Sequence, residues 1–247
     1  MLSQLNKNYL SNFDTLKASR LGDKNMSITV YMVRHGQTYL NKYRRMQGWT
    51  NAPLTEKGIA DGQAAGERLR YVHFDGAYSS DLARAAETAR FVLDANLTSD
   101  SQDLVELPDF REQFFGSFDG LTGVEAGEAL AGVLGLPADT TYGDLIGSLD
   151  GDQLMDAFRQ ADPAGDAEDS QMFWSRLNNG LDTLLTKHQD GDRVLLVVHG
   201  ILLINLVNRF AGDAYKGIEP ENGSITTWQL DENGLQLETF NDTTTEW

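Results

Sequence analysis

The side chains best suited to chemistry in this chain are a guanidinium and an imidazole in adjacent positions. Arg34-His35-Gly36 closes the β-type run Ile28 to Val33, and a second imidazole, His199-Gly200, closes the apolar run Arg193 to Val198. These are two of only four histidines in 247 residues. A third short run, Gly76 to Ser80, leads into a helical pattern from Asp81 to Asn96, with Asp81 as the expected N-cap. Ligands of open α/β sheets gather beyond the carboxyl ends of the strands. Arg34, His35, Ser79, Ser80, Asp81 and His199 are therefore expected to converge. Arg84, one helical turn past Asp81, can point back over the same rim.

Two arginines and two histidines in one pocket imply an anion. The guanidinium fork matches phosphate oxygens, and helix N-termini add N–H donors. A neutral imidazole is a competent nucleophile towards phosphorus, and a covalent intermediate divides one hard step into two. Arginines would offset charge on the transferring oxygens, where most of the catalysis of phosphoryl transfer lies. The departing alkoxide needs a proton. Glu112 is the candidate donor, because Phe110, Phe114 and Phe115 surround it in sequence with apolar surface, and desolvation keeps a carboxyl protonated nearer neutrality.

Composition agrees with a small anionic ligand. The net charge of −17 argues against nucleic acid as a partner. The charge is uneven, however: Ser27 to Thr55 holds Arg34, Lys42, Arg44 and Arg45 and no acidic residue. From Asp144 to Asp169 there are eight acidic residues against Arg159. The chain has no cysteine, which excludes disulfides, thiolate catalysis and sulfur-ligated zinc. Asp150, Asp152 and Asp156 lack the bidentate Glu of a calcium loop. No run approaches the roughly 20 apolar residues of a membrane span. The N-terminal segment lacks a signal-peptide apolar region. The expected location is cytoplasmic, with secretion after loss of a leader as the alternative. The oligomeric state is open.

Strands that read as continuous apolar runs are covered on both faces, and their alternation with helices implies an α/β sandwich with a mostly parallel sheet. Helices are expected at Glu56 to Tyr71 and Asp169 to His188, and a hairpin around Asn233-Gly234. Phe173 and Trp174 should be buried, whereas His73 and His188, at element ends, should be solvated. Residues 1–27 read as an arm, with Leu2, Leu5, Tyr9, Phe13 and Leu16 at helical spacing. Residues 28–247 form the main domain. The Gly-, Ala- and Asp-rich stretch at about 122–166 reads as a cap-like insertion.

Read together, the segments VRHGQTYLN, QGWTNAPLTEKG, YSSDLARAAETA, REQFFGSFDG and VVHG resemble the histidine phosphatase (phosphoglycerate mutase-like) superfamily, in family order from about residue 28 to 230. The resemblance implies a three-layer α/β/α sandwich with a mixed sheet and an inserted helical cap. It implies His35 as the phosphorylated nucleophile, Arg34, Arg84 and His199 as holders of the phosphoryl group, and Glu112 as proton donor. Asn41 and Gln47 match positions at the pocket rim or on the phosphate. No metal or organic cofactor is implied. Asn51 stands where relatives often carry Asp, at a structural turn. Arg111-Glu112-Gln113-Phe114-Phe115-Gly116 is closer to the phosphatase branch than to the Asn-Glu-Arg-His-Tyr-Gly element of cofactor-dependent mutases. The expected activity is hydrolysis of small phosphomonoesters. Phosphoglycerate mutase activity is the first alternative. A silent phospho-ligand-binding protein is the second, although every position of the constellation is filled.

Overall fold

The computed structural model describes residues 26–100 and 103–247. Most of the expected N-terminal arm thus lies outside the described residues. Six strands form one sheet in the order β3-β2-β4-β1-β5-β6. They are β1 (Ser27–Arg34), β2 (Gly76–Ser79), β3 (Leu104–Glu106), β4 (Arg193–Val198), β5 (Ile225–Asp231) and β6 (Gly234–Asp242). Strands β3, β2, β4 and β1 are mutually parallel, and β5 runs antiparallel to β1 and to β6. The short connection into β6 follows the expected hairpin, with Gly234 at φ +118° beginning the return strand.

The apolar runs are continuous because successive side chains enter different cores. Ile28, Val30 and Met32 of β1 pack with Val194, Leu196 and Val198 of β4 on one face, and Tyr31 and Val33 pack with Leu195 and Val197 on the other. Helices cover both faces. The first face carries α7 (Ser170–Lys187) and α8 (Gly200–Phe210); the second carries α2 (Glu56–Arg68) and α3 (Ala83–Ala95). A single-turn helix, α1 (Tyr39–Lys42), lies between β1 and α2. The architecture is the three-layer sandwich that the sequence implies.

Residues 123–161 form three helices, α4 (Gly123–Leu134), α5 (Tyr142–Ser148) and α6 (Gly151–Ala161), around their own apolar cluster. Each begins with a reciprocal capping box, Thr122 with Glu125, Thr141 with Asp144 and Asp150 with Gln153. Phe158 is central to the cluster and touches Phe115, Phe118 and Tyr142 edge-on or tilted. The return to the core is clamped by Asp162. Its carboxylate accepts from the N–H groups of Ala164, Asp166 and Ala167 and from the Ser117 hydroxyl. Burial alone would push this carboxyl up, but the four donors hold its pKa down to about 2.

Two local expectations fail for the same reason, a partner distant in sequence. Asp81 does not cap α3; its carboxylate pairs with the Arg111 guanidinium, Nε to Oδ1 at 2.7 Å. Leu82 occupies the N-cap position without a side-chain bond, and Asn51 Oδ1 accepts from the Ala83 N–H instead. His188 is buried, not solvated: Nδ1 lies 2.9 Å from Asp192 Oδ2, and Nε2 lies 3.0 Å from the Tyr78 hydroxyl.

Asp162→Ala should destabilise the protein by about 2 kcal/mol at pH 7, the order expected for losing several hydrogen bonds to one charged acceptor. A carboxyl with a depressed folded pKa contributes stability above its ordinary range and loses it as the pH falls through the folded value. The difference between wild type and variant in urea unfolding should therefore shrink as the pH is lowered towards 2. A difference independent of pH would show that the clamp acts otherwise.

Candidate active site

The register of β1 on β4 builds the site. Arg34 is opposite Val198, so the next residues along each strand, His35 and His199, emerge side by side. The His35 N–H donates to the Val198 carbonyl at 3.0 Å, and the two ring centroids lie 5.2 Å apart. Gly36 follows because no larger residue fits. A Cβ there would lie 2.0 Å from the carbonyl oxygen of Gly58, which starts α2 against this turn. The Gly36 N–H donates to Thr88 Oγ1 at 3.0 Å, locking the turn onto α3.

The partners of His35 fix its tautomer. Nδ1 lies 2.8 Å from the Gly36 carbonyl oxygen, which can only accept, so Nδ1 carries the proton. Nε2 therefore keeps a lone pair, and it accepts from Arg84 Nε at 3.2 Å. Burial drives the His35 pKa well below 6.5, and the Arg84 and Arg34 charges add to the effect. His199 is depressed likewise by burial and then by Arg84, and both of its ring nitrogens are buried without a protein partner.

Arg84 is 1% exposed. It donates to the Gly48 carbonyl at 2.7 Å and the Thr50 carbonyl at 3.3 Å, and burial lowers its pKa to about 10, so it stays charged at neutral pH. Asp119 holds the same loop by accepting from the Gly48 and Thr50 N–H groups, both at 2.9 Å. Arg34 donates to the Pro220 carbonyl and to Glu219 Oε1 at 3.0 Å, and its Nε has no partner. The Glu219 side chain is 72% exposed. Glu219 can therefore swing into solvent and leave the buried Arg34 guanidinium facing the cavity.

Glu112 is buried at the N-terminus of α8. Its oxygens accept from the N–H groups of Ile201 and Leu202, each at 2.9 Å, and of Gln113 at 3.0 Å. Desolvation raises its pKa; these donors and Arg84 oppose the rise without cancelling it. The backbone around it is braced. Arg176 of α7 donates to the carbonyls of Asp109, Arg111 and Glu112 and pairs with Glu168, while Trp49 Nε1 donates to the Glu112 carbonyl at 2.8 Å.

Arg34, His35, Asn41, Gln47 and Glu112 line one cavity of about 1070 Å³, under α5. Arg84 and His199 lie behind this surface, in contact with His35. Thr38, Asn41 and Gln47 form a hydrogen-bonded set, with Thr38 Oγ1 2.5 Å from Gln47 Oε1 and the Thr38 N–H donating to Asn41 Oδ1 at 3.1 Å. Ser79 is buried beneath the turn, and Ser80 Oγ accepts from the Leu82 N–H. Neither they nor Asp81 line the cavity. The sequence reading did not single out Glu219 or Asn222, whose amide donates to the His35 carbonyl at 2.8 Å. Its one available signal was the polar turn Glu219 to Gly223 just before β5, whose start meets the end of β1: the Gly223 N–H donates to the Arg34 carbonyl at 2.9 Å. Among the described residues no group of three or more His, Cys, Asp or Glu could hold a metal ion, and no helix is long and apolar enough to cross a membrane.

The sequence model of the histidine phosphatase superfamily, branch 1, matches residues 30–145 and 146–243. A protein of Gloeobacter violaceus named 2,3-bisphosphoglycerate-dependent phosphoglycerate mutase 2 is 42% identical over 96 residues, 38% of this chain and 42% of its own length. A Neisseria meningitidis protein named 2,3-bisphosphoglycerate-dependent phosphoglycerate mutase is 29% identical over 223 residues, 84% of this chain and 97% of its own. The crystal structure of phosphoglycerate mutase from Bacillus anthracis superposes with a TM-score of 0.80 at 31% identity, covering 88% of this chain and 94% of the other.

The protonation states are directly measurable. In long-range ¹H–¹⁵N spectra, His35 and His199 should remain neutral through pH 6. His73, raised first by its bond to the Thr98 carbonyl and exposed to solvent, should titrate above its ordinary 6.5. Titration of His35 near 6.5 would show that neither burial nor the arginines depress it.

Proposed function

The chain belongs to the histidine phosphatase superfamily, and on that premise we propose that it hydrolyses small phosphomonoesters through a phosphohistidine. The observation that carries this reading is the cavity. A neutral imidazole, a guanidinium and a buried carboxyl stand in a space of about 1070 Å³, at the top of the range that encloses drug-sized ligands. A three-carbon acid leaves such a space largely to water, and water is the second substrate of a phosphatase.

In the proposed mechanism, the Arg84 N–H turns from His35 Nε2 to a phosphoryl oxygen, and the freed Nε2 lone pair attacks phosphorus as the bond to the leaving oxygen breaks. The Glu112 carboxyl gives that oxygen its proton. Arg34 and Arg84 offset charge on the equatorial oxygens, with His199 beside them, and Asn41 and Gln47 complete the rim. Water then attacks phosphorus, Glu112 takes its proton, and the N–P bond breaks. Because Nδ1 keeps its proton throughout, on the Gly36 carbonyl, imidazole departs neutral. The helices α4 to α6 act as the cap. No step needs a metal or organic cofactor.

A second reading, phosphoglycerate mutase, is favoured by the names of the relatives that align over most of the chain. A mutase must retain the phosphorylated histidine while its substrate reorients, which an excess of water in the cavity opposes.

His35→Ala should reduce hydrolysis of p-nitrophenyl phosphate to background with the fold intact by circular dichroism. Glu112→Gln should slow an alkyl phosphate by about 10²–10⁴-fold, the usual contribution of a general acid, and p-nitrophenyl phosphate far less. Equal losses on both would remove Glu112 from the acid role. With 3-phosphoglycerate and 2,3-bisphosphoglycerate supplied together, free phosphate should accumulate. Rapid formation of 2-phosphoglycerate with little phosphate would establish the mutase instead.

A further inference from the structure

Beyond the phosphoryl end, the cavity is walled mainly by carbon. Met46, Phe115, Ile201 and Ile204 line its core side, and Ile146 of α5 lines the cap side. Thr122, Thr141, Arg44 and Arg45 add polar groups to the lining, and so does Tyr142, also on α5. Its hydroxyl is buried with no hydrogen-bond partner. Burial, and then the nearby Glu112 and Glu219 carboxylates, raise its pKa, so it remains a neutral phenol across the physiological range.

Cations are scarce in that wall. Among the described residues lining the cavity, those other than Arg34 are Arg44 and Arg45, both exposed at the mouth. Arg45 is engaged with the Gly120 carbonyl at 2.7 Å. A second carboxylate or phosphate on a substrate would lose its hydration against this wall without gaining a buried counter-charge, and would also meet the Glu219 carboxylate. An apolar group has the opposite balance, since its burial is favourable in proportion to area.

We propose that this site takes monoesters of phosphate with an uncharged, largely apolar alcohol, seated against Ile146, Ile204 and Tyr142, in preference to phosphorylated acids or bisphosphates. The proposal deepens the phosphatase reading and rests on it for the role of the site. It is read by binding alone, so that it and the reading can fail separately.

The test uses the full chain carrying His35→Ala, which holds a phosphate ester without transferring the phosphoryl group. Calorimetry should give 1-naphthyl phosphate an affinity at least about tenfold above that of 3-phosphoglycerate, the ratio that burial of roughly 60 Å² of apolar surface corresponds to. Adding Ile146→Arg should weaken 1-naphthyl phosphate, strengthen 3-phosphoglycerate and leave inorganic phosphate unchanged. Ile146→Ala, a change that a half-buried helix position tolerates, should weaken 1-naphthyl phosphate severalfold and leave 3-phosphoglycerate as it was. Equal or tighter binding of 3-phosphoglycerate to the parent overturns the proposal, as does insensitivity of the preference to both Ile146 variants. If 1-naphthyl phosphate binds tighter while the unmutated protein interconverts phosphoglycerates without releasing phosphate, the phosphatase reading fails and the binding preference stands.

Discussion

The site depends on one hydrogen bond, from Arg84 Nε to His35 Nε2, which exists only while the imidazole is neutral. A protonated His35 would place its charge against the buried Arg84 guanidinium, with the Arg34 guanidinium a third cation nearby. Burial and the two arginine charges all act in the same direction on its pKa. The groups suited to bind a phosphoryl dianion are thus the groups that keep the imidazole unprotonated. Their proximity follows from strand register, since Arg34 opposite Val198 makes His35 a neighbour of His199.

Glu112 is subject to opposing influences. Desolvation favours its protonated form, whereas three backbone N–H groups and Arg84 favour the carboxylate. In the proposed mechanism this carboxyl serves first as acid and then as base, and groups favouring each of the two states surround it. The balance requires an exact position at the α8 N-terminus. Arg176 and Trp49 explain how the position is kept: both donate to the Glu112 main-chain carbonyl, and Arg176 is itself held by Glu168. Three segments far apart in sequence therefore set the orientation of one side chain.

Much of this was legible in the sequence because residue type and element end are local properties. An apolar run that stops at Arg34-His35-Gly36 or His199-Gly200 marks both a strand and what stands at its tip. The parts that were not legible involve long-range partners. Asp81 looked like an N-cap, but the charge it meets is Arg111, and the cap comes from Asn51. His188 looked solvated because Tyr78 meets it only once the sheet is assembled, although Asp192, four residues on, is a local partner. Glu219 and Asn222 reach the site through the antiparallel pairing of β5 with β1. For residues 122–166 the resemblance implied a helical insertion but the weak apolar periodicity did not delimit its three helices; in α4 the packed surface is largely Ala126, Gly127 and Ala131. The capping boxes at Thr122, Thr141 and Asp150 were a sharper signal than the periodicity.

The two ends of the cavity are built by different physics, and this separates chemistry from selectivity. At the phosphoryl end nearly every side chain is fixed by hydrogen bonds to main chain at strand or helix ends, so a substitution there disturbs several partners together. At the other end the wall is made largely of apolar side chains, with the hydroxyls of Thr122, Thr141 and Tyr142 among them, and its short helices return to the core through the Asp162 clamp. Apolar contacts are non-directional, so residues such as Ile146 can change without moving His35, Arg84 or Glu112. On the proposed function, substrate preference can therefore shift through α5 alone, while the register of β1 and β4 keeps the His35 imidazole, its tautomer and its neutrality in place.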